Sequence, residues 1–175
     1  MKHILCSIAL LASLLLSGFA AHEAQQSDAK VIAVLDGDTV LLMDTRADSA
    51  PPLFYKFRLA DIDAPEKGQV YGEHAGRALA QLVLKRQVYV VSVATDSYGR
   101  TIGWISLKRD ASIENSVNAE LVRRGWAWAL SRSRSPYLRE AQQEAQHERR
   151  GLWSSGEPIP PWVWRKQQLL KQASE

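Results

Sequence analysis

Five short β-patterned runs, interrupted once by an amphipathic helical stretch, constrain this chain more than any other feature. Residues 31–35, 39–43 and 54–59 read as strands bounded by turn formers. The Asp36-Gly37 pair between the first two marks a tight turn. Residues 73–86 then carry Ala75, Ala78, Leu79, Leu82 and Val83 at three-and-four spacing, which makes one apolar helix stripe. Residues 88–93 and 100–107 return to strand pattern on either side of an Asp96-Ser97-Tyr98-Gly99 turn. A second helix fits 117–124, with Val117, Leu121 and Val122 inward and Gly125 as its stop. A third starts at Ser135 as cap with Pro136 in the first position, and stops at Gly151.

Three strands, a helix, two strands and two helices predict an α+β fold: a five-stranded OB-fold β-barrel with three helices. Such barrels bind oligonucleotides across one face, but the fold alone assigns no chemistry. The 175 residues leave room for one domain with its own core. Composition that is 46% apolar and 23% charged excludes a chain disordered throughout. The single Cys6 excludes a disulfide framework and a Cys-based zinc site.

The first twenty residues read as an address. Met1-Lys2-His3 is a basic start, 4–16 is an apolar run, and Ser17, Gly18, Ala20 and Ala21 are small. This is the pattern of a secretory signal cleaved after Ala20, and it predicts a secreted or periplasmic protein with no membrane attachment after cleavage. The competing reading is an uncleaved anchor, since the apolar stretch is near spanning length. Residues 21–29 then form a polar leader, 30–153 the OB-fold domain, and 154–175 a tail holding Pro158, Pro160, Pro161, Trp162 and Trp164. The tail reads as two indoles docked on the domain, with 167–175 frayed or weakly helical. Its alternative is an added nucleic-acid contact through Arg165 and Lys166.

Charge is balanced overall at +3, but basic pairs recur at Lys85-Arg86, Lys108-Arg109, Arg123-Arg124 and Arg149-Arg150. Singly each is a solvated face; together they fit a polyanion partner. Acidic residues gather in two loops: Asp36 and Asp38 in one, Asp61, Asp63 and Glu66 in the other. If the barrel brings those strand ends together, several carboxylates share a small volume, and a cation must neutralise them. A hard divalent ion with oxygen ligands suits that set, and Ca²⁺ tolerates irregular geometry. His22, His74 and His147 lie too far apart in sequence to suggest a zinc site. Arg58 and Arg100 offer rigid donor forks that match phosphate oxygens. Around a phosphodiester, fixed donors of that kind stabilise the charge that grows during in-line attack. Glu66 is placed to activate water.

Three segments carry a resemblance: Asp36-Gly37-Asp38-Thr39, the run from Arg58 to Glu66, and Asp96-Ser97-Tyr98-Gly99-Arg100. In this order, with fitting elements between them, they resemble the staphylococcal nuclease (thermonuclease) family over roughly residues 31–153. Leu121-Val122-Arg123-Arg124-Gly125 is similar to the family's second helix. The resemblance implies Asp38 and Asp63 as side-chain ligands of Ca²⁺ and Ala64 as a ligand through its backbone carbonyl. It implies Arg58 and Arg100 on the phosphate, Glu66 orienting or deprotonating the attacking water, and Asp36 behind the ligands. The implied activity is cleavage of DNA and RNA with little sequence preference, leaving 3′-phosphates, by a monomer with no obligate protein partner.

Two departures stand out. Ser131 and Ser133 occupy the places of two base-stacking tyrosines of the family's best-known member, which leaves Tyr98 and Tyr71 as stacking candidates. The loop between Glu66 and Tyr71 is also shorter. Trp126 and Trp128 lie close by, and their Trp-Ala-Trp-Ala alternation reads as core packing. The competing function is a non-catalytic nucleic-acid-binding module of the same family. Loss of the carboxylates or arginines would mark it, and Asp38, Arg58, Asp63, Glu66 and Arg100 are all present.

Overall fold

The computed structural model describes residues 25–46, 51–109 and 112–174. The leader, its cleavage point at Ala20 and residues 21–24 lie outside them. The elements in chain order are β1 (Gln25–Val34), β2 (Thr39–Asp44), β3 (Phe54–Leu59), β4 (Ile62–Asp63), α1 (Gly72–Val83), β5 (Gln87–Thr95) and β6 (Thr101–Ser106). They continue with α2 (Val117–Arg123), β7 (Trp128–Ala129), α3 (Pro136–His147), a 3-10 turn (Gly151–Ser155) and α4 (Pro161–Gln172).

The five long strands close a barrel in the order β1-β2-β3-β6-β5. All neighbours are antiparallel except β3 and β6, which run parallel with Arg58 opposite Ile102. Closure is made by β1, which is longer than its apolar run. Residues 29–34 pair with β2, while 25–30 pair with β5. The polar leader is therefore strand from Gln25 onward, which corrects its expected boundary at residue 29. Gln25, Gln26, Ser27 and Asp28 carry little β signal of their own; the open edge of β5 recruits them by its hydrogen bonds.

The barrel interior holds Val31, Val40, Leu42, Phe57, Val88, Val90 and Ile105, all essentially without solvent exposure. The stripe expected on α1 is the buried one: Ala75, Ala78, Leu79, Leu82 and Val83. Helix α1 packs on β1 and α2, and α2 packs on α3. Ser135 takes the N-cap position of α3, although its hydroxyl makes no cap hydrogen bond. The described residues form four α-helices where three were expected. The additional one, α4, runs without a break through Gln172, so of the two readings of the tail, frayed or weakly helical, the helical one holds there.

One buried amide joins the layers. Asn118 of α2 is fully enclosed. Its Oδ1 accepts from the Ile105 N–H at 3.3 Å, and its Nδ2 donates to the carbonyls of Ala60 at 2.9 Å and Gly103 at 3.2 Å. It thereby ties α2 to β6 and to the turn after β3, the turn that leads into β4. Replacing Asn118 with Ala strands backbone groups in a site that water cannot reach. The expected loss is about 2–4 kcal/mol of unfolding free energy, read by urea denaturation. A variant as stable as the parent would show that the amide does not hold the layers together.

Candidate active site

The site is assembled by strand register and one close backbone approach. Thr39 pairs with Arg58 across β2 and β3, so Asp38 at the end of the hairpin turn lies beside Arg58. That turn is pinned by the Asp36 Oδ1, which accepts the Asp38 N–H at 2.9 Å. Gly37 lets it press against the protein: a Cβ there would stand 2.6 Å from the Ala64 Cβ and 2.8 Å from the Ala75 Cβ. The approach brings the Ala64 N–H to within 3.1 Å of the Asp38 Oδ2. After β3 the chain turns through Asp61, whose φ of 62° is tolerated by an aspartate, into β4. Pairing of β4 with β7, Asp63 opposite Trp128, fixes the second carboxylate. Asp61 is thus a turn residue with its side chain half exposed.

Asp38 and Asp63 are only 3% and 2% exposed. The guanidinium of Arg58 lies between them, with Nη1 2.9 Å from the Asp38 Oδ1 and Nη2 2.9 Å from the Asp63 Oδ1. The Thr39 hydroxyl also donates to the Asp38 Oδ1 at 2.9 Å. Burial pushes the Asp38 carboxyl up to about 7, outweighing the pull of Arg58, and the neighbouring Asp36 adds to the rise. Burial also works against the Arg58 charge, but Asp38 and Asp63 together hold it above its ordinary range.

A further cation reaches the same carboxylates from α4. Arg165 donates from Nη2 to the Asp63 Oδ2 at 2.8 Å and from Nη1 to the Asp63 Oδ1 at 3.2 Å. The same Nη1 also binds the Glu66 Oε1. Hydrogen bonds to Asp63, joined by those to Glu66, hold Arg165 well above its usual range. The sequence reading gave Arg165 only as an alternative nucleic-acid contact and did not place it against these acids. The available signal was Trp162 and Arg165 three residues apart, after a Pro-Pro start that favours a helix.

Asp38, Arg58, Asp63, Ala64 and Glu66 therefore come together. Arg100 does not join them by hydrogen bond: its Nε donates to the Asp96 Oδ2 at 2.8 Å, and its head lies 5.5 Å from the centre of the Tyr98 ring. It precedes β6, two residues before Ile102, the register partner of Arg58. Tyr98 is 83% exposed. Tyr71 caps α1, meets His74 edge-on and shares a hydrogen bond with the Ser155 hydroxyl, which ties it to the 3-10 turn. Trp128 is buried as the alternation suggested, while Trp126 is half-buried and stacks on His74. Of the tail indoles, Trp162 meets Trp128 edge-on at 6.3 Å yet stays 43% exposed, so its docking is partial. Among the described residues no three or more His, Cys, Asp and Glu side chains gather as a metal-binding group. What has gathered is a carboxylate pair around one guanidinium, with oxygen donors only.

Comparison with known proteins places this geometry. Residues 56–155 match a family model described as staphylococcal nuclease homologue. The chain is 41% identical over 146 residues to a protein named ParB of Escherichia coli, covering 79% of this chain and 78% of that one. An uncharacterised endonuclease of Haemophilus influenzae is 34% identical over 167 residues, with 94% and 88% covered. A micrococcal nuclease of Shigella flexneri is 35% identical over 144 residues, with 78% and 79% covered.

Helix α4 buries only Pro161 and leaves Leu169 and Leu170 exposed, so ion pairing carries much of its attachment. High salt and Arg165→Ala are expected to loosen it. Amide exchange in α4 should quicken at least severalfold in either case, while barrel amides hold their rates. Unchanged α4 protection in Arg165→Ala would show that apolar contacts suffice.

Proposed function

The chain belongs to the staphylococcal nuclease family, and from that premise we propose that it is a Ca²⁺-dependent nuclease acting on DNA and RNA. It cuts with little sequence preference and leaves 3′-phosphate ends. The observation that carries this reading is the Arg58 guanidinium held between buried Asp38 and Asp63, with Glu66 alongside. A pure binding module has no use for that desolvated arrangement.

Asp38 and Asp63, with the Ala64 carbonyl, would hold the cation. Their all-oxygen donor set fits Ca²⁺, which when bound polarises the phosphoryl group. The protein's own groups do the rest. Arg58 spends two of its five N–H donors on carboxylates and keeps the others for phosphate oxygens. Arg100, released from Asp96, supplies a second fork to the same charge. Glu66 orients the attacking water and can take its proton. As the water oxygen bonds to phosphorus, the bond to the 5′-oxygen breaks. Glu66 and Asp63 must first be free of Arg165, which holds both carboxylates in this state.

The basic start, apolar run and small residues before Ala21 support export with cleavage after Ala20. No helix among the described residues is long and apolar enough to cross a membrane. Closure of the barrel leaves no long strand edge open for pairing, in keeping with a monomer.

Glu66→Gln and Arg58→Ala are each expected to lower cleavage of a labelled oligonucleotide by about a hundredfold or more, with the folded circular dichroism retained. Full activity in either variant removes the role given to that residue. Chelation by EGTA should abolish turnover and added Ca²⁺ restore it. Cleavage that persists in EGTA would refute the metal requirement, and products bearing 5′-phosphate would refute the assigned bond.

A further inference from the structure

A cleft of about 600 Å³ opens beside the carboxylates. Arg58 and Asp63 stand on its inner wall, so it is continuous with the active site. Arg132 and Arg139 also line it, and α4 contributes Trp162 and Arg165. Four arginines face one carboxylate there. Arg132 has no ion-pair partner among the described residues, and Arg139 donates only to the Ser133 carbonyl, at 3.2 Å. Among the described residues, no carboxylate pairs with either of these positive charges.

Trp162 gives the cleft a ring. It lies three residues before Arg165 on α4, so both project from one helix face. The Arg165 ion pairs fasten that face over the site. Trp128 meets the Trp162 indole in a T-shaped contact, at an interplanar angle of 76°, and the Trp162 side chain stays exposed. Ser131, a small residue, lines the same cleft. Helix α4 lies beyond the stretch that matches the family model, which ends at residue 155.

We propose that this cleft is a subsite for the unpaired nucleotide next to the scissile phosphate. A base stacks on Trp162, and Arg132 and Arg139 hold the neighbouring backbone phosphates. An indole face accepts any base, and guanidiniums track a phosphate chain without reading its sequence. A paired base cannot reach the indole, so the subsite favours single-stranded substrate. The inference rests on the nuclease reading for the place of the scissile bond, but not for the binding itself.

The test separates the two. Binding of fluorescein-labelled oligo-dT and oligo-rU is followed by anisotropy in EDTA, where no turnover is required. Trp162→Ala is expected to weaken binding about tenfold for at least one of the two strands, and Trp162→Phe to recover most of it. The Trp162→Ala penalty should vanish on an abasic strand of equal length. Arg132→Ala with Arg139→Ala should flatten the log–log salt dependence by roughly 1.4, about 0.7 per lost phosphate contact. If both Trp162 variants bind both strands as tightly as the parent, or if the abasic strand shows the same penalty, the subsite is overturned while the nuclease reading stands. If the Trp162 effect appears but the parent cleaves neither strand with Ca²⁺, the subsite survives and the nuclease reading fails.

Discussion

Two carboxylates kept close and dry need positive charge between them, and the rest of this site is arranged around the guanidinium that provides it. Asp38 and Asp63 would repel one another in a medium of low polarity, and each has lost nearly all its water. Arg58 answers both with one planar group, because its two terminal nitrogens reach different aspartates at the same 2.9 Å. A lysine in its place offers a point charge with no fork and could not hold the pair in register. Removing Arg58 takes from Asp38 its cationic partner and leaves Asp63 to Arg165 alone, which is more than a simple gap. The hairpin turn, the β3–β4 corner and the barrel closure behind them all deliver side chains to that one group.

The barrel was readable because its signals are local. Asp36-Gly37 announced the hairpin, and Ala75, Ala78, Leu79, Leu82 and Val83 announced the α1 face, since periodicity and turn chemistry act over a few residues. The first half of β1 was not readable. Gln25 to Asp28 are polar, and only the waiting edge of β5 makes them strand. Convergence of Asp38, Arg58 and Asp63 was readable only as a condition, that the barrel bring their loops together, and the β2–β3 and β4–β7 pairings meet it. The resting partner of Arg100 was not readable, because Asp96 competes for it within its own turn at a range that pattern reading treats as punctuation. Tyr71 is the sharper lesson. Its position in a short loop after Glu66 suggested a stacking ring, yet its backbone caps α1 and its hydroxyl is spent on Ser155.

Helix α4 was the least legible element, for a physical reason. Its mean pattern is polar, only Pro161 is fully buried, and its docking depends on a charge whose partners lie about a hundred residues away in the chain. A helix held in that manner leaves no apolar stripe to find. What it does leave is a pair of functional side chains at helical spacing, and the structure turns both toward the same cleft.

The family match and the assembled site do not coincide, and the difference says how the site is built. The match begins at residue 56 and ends at 155, so it includes Arg58, Asp63, Glu66 and Arg100 but neither Asp38 nor Arg165. Asp38 arrives from the β1–β2 hairpin, whose place is dictated by hydrogen bonds to β3 and by the contact of Gly37 with Ala64. Arg165 arrives on a helix with little else to hold it. The first is fixed by backbone pairing and steric fit, which salt and ligands leave alone. The second is fixed by exposed charge, which both can displace. The rigid half of the site therefore lies where the buried carboxylate must not move. The adjustable half lies where Arg165 holds Glu66.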